Sequence, residues 1–238
     1  MPVIGIDIGG TKIHGILWNG ERVIRTRQFA TPDNEKDFAR GILELVSALS
    51  QQRPLHGVGI GAAGIVDKTT LVSSPNIPFI KQFDFRALWP RSIPLRVDND
   101  ARCYGRAELL RGAGRGAESL FALTIGTGIG RVYGKNGKIV KLKKFEYPEP
   151  WEKEYQEVRN RRDDGELASF LARKLAPLLE PFEPEVIVIG GGVMERPGFL
   201  PKLRAALKAR RVSGEVRRAA LGRNAVAVGA ALLLRHQQ

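Results

Sequence analysis

The stretch VIGIDIGGTKIHGILW, residues 3–18, decides the reading of this chain. By the two-residue period of a strand, Ile4, Ile6 and Ile8 share one face, and Val3, Gly5 and Asp7 share the other. Burying an unpaired carboxylate is costly, so Asp7 must look into water, a metal ion or a ligand. Gly9 and Gly10 remove the Cβ atoms that would keep a bulky partner away from the backbone. Thr11 and Lys12 then add a hydroxyl and a cation. Alone, the tetrapeptide reads equally well as a hairpin turn beside a solvated acid.

Working outward, residues 12–18 and 22–29 read as two further strands, with Asn19-Gly20 as a two-residue hairpin between them. Residues 34–50 carry Phe38, Ile42, Leu45, Val46 and Leu49 at helical spacing. Short apolar runs at 57–60 and 95–97 read as buried strands. A helix over 101–111 stops at Gly-Ala-Gly-Arg-Gly. The second half then starts over. A strand at 119–125 leads to the turn Gly126-Thr127-Gly128 and strands at 129–133 and 137–142. A helix at 166–179, a strand at 186–189 and helices at 200–209 and 225–234 follow. Two similar α/β halves are expected, each offering a glycine turn to a shared cleft. Residues 1–112, joined by a terminal helix at 224–238, would form one lobe, and residues 113–223 the other.

The 238 residues are 43% hydrophobic, enough for a full core, and no run reaches the roughly 18 apolar residues a membrane helix needs. The start lacks the pattern of a signal peptide. A single cysteine, Cys103, leaves no internal disulfide and no multi-cysteine zinc site within one chain. A soluble, cytoplasmic protein is expected. The formal charge is +13; 16 basic and 12 acidic residues precede residue 119, while 22 and 13 follow. That field attracts polyanions, yet no basic motif interleaved with aromatics points to base readout, so nucleic acid is not the expected partner. His14 and His56, in strand contexts, are given no role, and Cys103 is expected as a small buried thiol.

Glycine turns facing a cleft present converging N–H groups to an anion. An aspartate beside them suits Mg²⁺, which prefers carboxylate, water and phosphate oxygens. No G-x-x-x-x-G-K-[ST] sequence occurs. Residues 59–64 satisfy G-x-G-x-x-G, and Asp84 follows Gly64 by 20 residues. A dinucleotide site needs a helix there, however, and residues 65–70 read as a strand end and turn. Residues 97–101, Val-Asp-Asn-Asp-Ala, put a carboxylate and an amide at a strand end and a helix start. Asp100 there is either the helix N-cap or a general base.

Taken together, IGIDIGGTK at 4–12, SPN at 74–76, NDA at 99–101, LTIGTGIG at 123–130, VIVIGGGV at 186–193 and AVGAA at 227–231 resemble the ROK family of sugar kinases. They occur in family order and span nearly the whole chain. The resemblance implies an actin-like, ribonuclease H-like ATPase fold of two lobes that bind ATP, Mg²⁺ and a glucose-like hexose. By position it makes Asp100 the general base, and Asp7 the residue that holds Mg²⁺ through water. Gly9, Gly10, Thr11 and Lys12 would bind phosphates, Thr124, Gly126, Thr127 and Gly128 the second phosphate loop, and Gly190, Gly191 and Gly192 the nucleotide. Asn76, Asn99 and Gly64 would lie at the sugar. A homodimer is implied by the resemblance alone.

Three departures stand out. The family's cysteine-rich zinc loop and its G-E-x-G-H segment are missing, so no zinc is expected, and Glu146 is the nearest candidate for the glutamate that grips the sugar. In their place runs a segment with Trp151, Tyr155 and Val158 on one helical face. Arg159, Arg161 and Arg162 lie nearby, expected as a docked helix with a solvated basic side. Arg131 replaces the usual glycine after GTGIG and would stand near the phosphates or crowd them. A zinc-free, shortened version is similar to the family's polyphosphate glucokinases, making polyphosphate an alternative donor. A catalytically weak sensor is the other alternative. The family's repressors carry a DNA-binding segment ahead of the first phosphate motif, for which no room is expected here.

Overall fold

The computed structural model describes residues 1–235; the Glu146 side chain, read above as a sugar ligand, and residues 236–238 lie outside the described residues. The chain divides into two units. One comprises Met1–Ala107 and the chain from Arg223 onward, the other Glu108–Gly222.

In the first unit β1 (Val3–Ile8), β2 (Lys12–Trp18) and β3 (Val23–Ala30) form an antiparallel meander, followed by α1 (Glu35–Ser50) and β4 (Gly57–Ala62). A small sheet of β5 (Ile65–Asp67), β6 (Thr70–Ser73) and β7 (Lys81–Asp84) precedes β8 (Leu95–Asn99) and α2 (Asp100–Arg111). The main sheet has the order β3-β2-β1-β4-β8, with β1, β4 and β8 parallel. Ile4, Ile6 and Ile8 pack with Phe38, Ile42, Leu45, Val46 and Leu49 of α1, as the two periodicities require. Each such side chain contributes about 1.5–3 kcal/mol at most. Asn34 caps α1, its Oδ1 accepting from the Asp37 amide at 2.9 Å.

The second unit repeats this plan. Its strands are β9 (Ser119–Ile125), β10 (Ile129–Lys135) and β11 (Lys138–Val140). Then come α3 (Glu152–Asn160), α4 (Asp164–Leu179), β12 (Val186–Gly190), α5 (Phe199–Ala209) and β13 (Glu215–Arg218). The sheet order β11-β10-β9-β12-β13 matches that of the first unit strand for strand, with β9, β12 and β13 parallel. Phe121, Leu123 and Ile125 meet Leu167, Leu171 and Leu175 of α4 and Leu203 of α5 in one core. Among the described residues no helix is long and apolar enough to cross a membrane.

One turn differs from expectation. The connection between β2 and β3 covers four residues, 19–22, rather than a two-residue Asn-Gly turn. Asn19 Oδ1 accepts from the Glu21 and Arg22 amides, both at 2.9 Å, and its own amide donates to Arg22 O. The Asn side chain thus organises a longer loop.

The last described element, α6 (Ala225–Leu232), returns to the first unit and lies on the other face of β1 and β4. Here the strand glycines have a steric cause. A Cβ on Gly5 would stand 1.9 Å from Ala227 O, and one on Gly59 2.0 Å from Ala230 O. On the helix side, a Cβ on Gly229 would stand 1.7 Å from Cys103 O. The helix backbone rests directly on the strand backbones, which explains its run of Ala, Val and Gly. Gly59→Ala should therefore lower the stability of the protein by about 3 kcal/mol, read from the midpoint of chemical denaturation. An unchanged midpoint would mean that α6 is free to move off the sheet.

Candidate active site

Parallel strands β1, β4 and β8 end together, so the register brings their last residues side by side. Asp7 pairs with Gly61, Gly61 with Asp98, and Ala62 with Asn99. The carboxyl ends of parallel strands are where open α/β sheets leave room for ligands. Asp7 and Asp100 both stand at this edge. Burial pushes Asp7 up to about 7, with the nearby Asp100 charge adding to the shift and Lys12 opposing it. Burial likewise raises Asp100, against hydrogen bonds from the backbone amides of Ala101 and Asp100 itself. Asp98 has a different fate. Its burial is more than offset by Arg102, which it contacts closely, and by Arg106 Nη2 at 2.8 Å, so it stays below the usual carboxylate range.

Asn99, not Asp100, is the residue that caps α2. Its Oδ1 accepts from the Ala101 amide at 3.0 Å and the Arg102 amide at 3.3 Å, and its Nδ2 donates to Gly64 O at 3.0 Å. The cap role weighed for Asp100 therefore falls to its neighbour, and Asn99 keeps only part of its amide for a ligand. Asn76 lies against the first glycine turn, where a Cβ on Gly10 would stand 2.6 Å from Asn76 O. That turn is held by Thr31, whose Oγ1 donates to Gly9 O at 2.6 Å and whose amide donates to Thr11 O at 3.1 Å. Thr11 and Lys12 are exposed beside it.

The second unit assembles the other predicted group. Thr124 Oγ1 accepts from the Gly130 amide at 3.2 Å, closing the turn over residues 126–128. Gly191, at φ +93°, lies against the end of β9, where a Cβ would stand 2.5 Å from Ile125 O. Gly190 pairs with Thr124, and Gly191 and Gly192 thus lie beside Ile125 and Gly126, with Gly192 N 3.8 Å from where a Cβ on Gly126 would be.

Several residues were not anticipated. The α3 helix confirms the shared face, with Tyr155 and Val158 buried, but its basic side is not simply solvated. Arg159 Nη1 and Tyr155 Oη both donate to Gly126 O, at 2.7 and 2.6 Å, and Gln156 Nε2 donates to Thr127 O. Arg131, 3% exposed, points away from any phosphate role. It pairs with Glu152 at 3.0 Å and donates to Tyr147 O at 2.7 Å, while Glu152 Oε2 accepts from the Ile129 amide. The spacing of Glu152, Gln156 and Arg159, one polar edge of a helix, was the available signal. His14 is buried, its Nε2 2.8 Å from Asn224 Oδ1, and burial holds it below the usual range. His56, read into a strand, is exposed just before β4. Cys103 is buried and its thiol is pushed far up, so it is no nucleophile.

A family model described as "ROK family" matches residues 3–141 and 163–237. The chain belongs to the ROK family. The glucokinase of Streptomyces coelicolor is 32% identical over 135 residues, which cover 53% of this chain and 41% of that protein, under half its length. The β-glucoside kinase of Klebsiella pneumoniae is 28% identical over 262 residues, covering 87% of each. Among solved structures, the Streptomyces griseus ROK glucokinase in complex with glucose and AMPPNP superposes with a TM-score of 0.82. It is 25% identical, with 99% of each chain covered. The inorganic polyphosphate/ATP-glucomannokinase of an Arthrobacter strain gives 0.80 at 27% identity, covering 100% of this chain and 99% of that one. These neighbours place the ROK chain in the actin-like ATPase fold.

The two raised carboxyls make the fold pH-sensitive. Between the ordinary value of 3.8 and about 7, the folded chain keeps a proton on Asp7 that the unfolded chain loses. The resulting stabilisation is complete below that window, declines across it, and is gone once pH passes through about 7. Asp7→Asn should flatten this slope. At pH 8 without divalent cations it should stabilise the fold by on the order of 1 kcal/mol, seen as a higher melting temperature.

Proposed function

We propose that this ROK chain is a sugar kinase that transfers the terminal phosphoryl group of ATP to a hydroxyl of a glucose-like hexose, with Asp100 as general base. The observation that carries the reading is the pair of half-buried, raised carboxyls at one sheet edge beside a glycine turn. A carboxylate of raised pKa is the better proton acceptor near neutral pH, so Asp100 takes the proton as the sugar oxygen attacks phosphorus. The turns at residues 9–12 and 126–128 hold donor phosphates through backbone amides, and Asn76 and the free part of Asn99 hold the sugar. Such an enzyme works chiefly by positioning and electrostatics.

Asp7 fits a hydrated magnesium ion. Desolvation and the Asp100 charge disfavour its ionised form, and a nearby cation relieves both. When bound, Mg²⁺ would supply the positive charge that offsets the charge of the donor phosphates. Asp7 would orient the ion through its waters, and Lys12, beside it, would add a fixed cation.

The +13 charge and the likeness to a polyphosphate/ATP-glucomannokinase favour a second reading, in which polyphosphate also serves as donor. A panel of hexoses and N-acetylhexosamines crossed with ATP and polyphosphate decides between them. Sugar-dependent ADP release is expected. Release of phosphorylated sugar from polyphosphate alone would establish the second donor, and silence with measurable sugar binding would make the chain a sensor. On the active pair, Asp100→Asn should leave nucleotide binding nearly intact while turnover falls about 10²-fold or more.

A further inference from the structure

The family match skips residues 142–162, and α3, the helix that grips the 126–128 turn, lies inside that stretch. We propose that Tyr155, Gln156 and Arg159 are positioning residues that preset the turn for anion binding. The inference rests on the reading that this turn holds the donor phosphates.

The argument is one of peptide geometry. In a planar trans peptide, the carbonyl of one residue and the amide of the next point in opposite directions, and no cis peptide is present among the described residues. Tyr155 Oη and Arg159 Nη1 draw Gly126 O toward α3, so the Thr127 N–H faces away from it. Gln156 Nε2 draws Thr127 O the same way, so the Gly128 N–H faces away too. Neither amide has a protein acceptor among the described residues, and both residues are exposed. Two consecutive donors are thereby held on the side opposite α3, the arrangement of an anion nest. A turn of Gly-Thr-Gly is otherwise free to rotate these peptides, and fixing them beforehand lowers the entropy lost on binding.

The helix itself is anchored from below. Arg131, buried in β10, pairs with Glu152 in the first turn of α3, and Glu152 Oε1 and Oε2 accept from the Glu149 and Ile129 amides. Tyr155 packs in the core beneath, and Arg159 lies over its ring, 5.7 Å from the centroid. The gripping side chains are therefore themselves held.

The test uses the full chain with Tyr155→Phe/Arg159→Met, which removes the donors to Gly126 O but keeps the ring and an aliphatic stem. Calorimetric binding of tripolyphosphate and of MgAMPPNP should each weaken about tenfold or more. Donor KM should rise, sugar KM should stay put, and Glu157→Ala, on the exposed side of α3, should change nothing. Arg159→Lys alone, with Tyr155 kept, should retain most of the affinity. Donor binding within twofold of the parent would overturn the inference while leaving the phosphate reading intact. A parent chain that binds neither probe would overturn both.

Discussion

The contact on which the first unit depends is that of backbone with backbone, α6 against β1 and β4. Gly5 and Gly59 have no room for even a methyl group, so the helix sits closer to the sheet than ordinary side-chain packing allows. That contact covers the face of β1 that also carries Asp7, and leaves the isoleucine face to α1. It also returns the chain, after the excursion over Glu108–Gly222, to the unit where it began. Glu108, fully buried, secures the departing and returning segments within the second unit. Its carboxylate accepts from the Ala113, Ala220 and Leu221 amides at 2.8, 3.1 and 3.0 Å.

At the strand edge the same residue type serves different ends because its surroundings differ. Asp98 is a buried aspartate, and Asp7 and Asp100 are half-buried ones. Asp98 has two guanidinium groups and stays ionised as a structural anchor of the β8–α2 junction. Asp7 and Asp100 stay raised instead, because burial outweighs Lys12 at the one and the backbone amides, Arg102 and Asn99 at the other. The Asp100 charge adds to the shift of Asp7. A site that must take up a cation, or a proton, gains from carboxyls left in that state, whereas an anchor gains from having its charge matched.

Much of this was legible in the sequence. The helical spacing of Phe38, Ile42, Leu45, Val46 and Leu49 gave α1 its buried face, and the IDIGGT and TIGTG runs marked two sheets of like topology. The strand ends were readable because the period of two fixes which residues point where. Reading failed where tertiary contacts decide. Nothing local tells Arg131 to face α3 rather than the turn, since its partners, Tyr147 O and Glu152, lie 16 and 21 residues along the chain. Nor does periodicity show that Gly5 answers Ala227, some 220 residues away. The charged strand β13 went unseen because only Val216 is buried in it. At Asn19 and Asn99 the side-chain amide outcompeted the simpler expectations for the neighbouring Gly20 and Asp100, a choice made by hydrogen bonds that composition does not encode.

The placement of α6 also orders events during synthesis. Strands β1 and β4 leave the ribosome long before the helix that covers their glycine face, with the whole of the second unit emerging in between. The second unit is continuous in sequence and can close on itself while the nascent first sheet still waits with bare backbone on one side. Until α6 is translated, that glycine-lined surface stays uncovered and open to wrong associations.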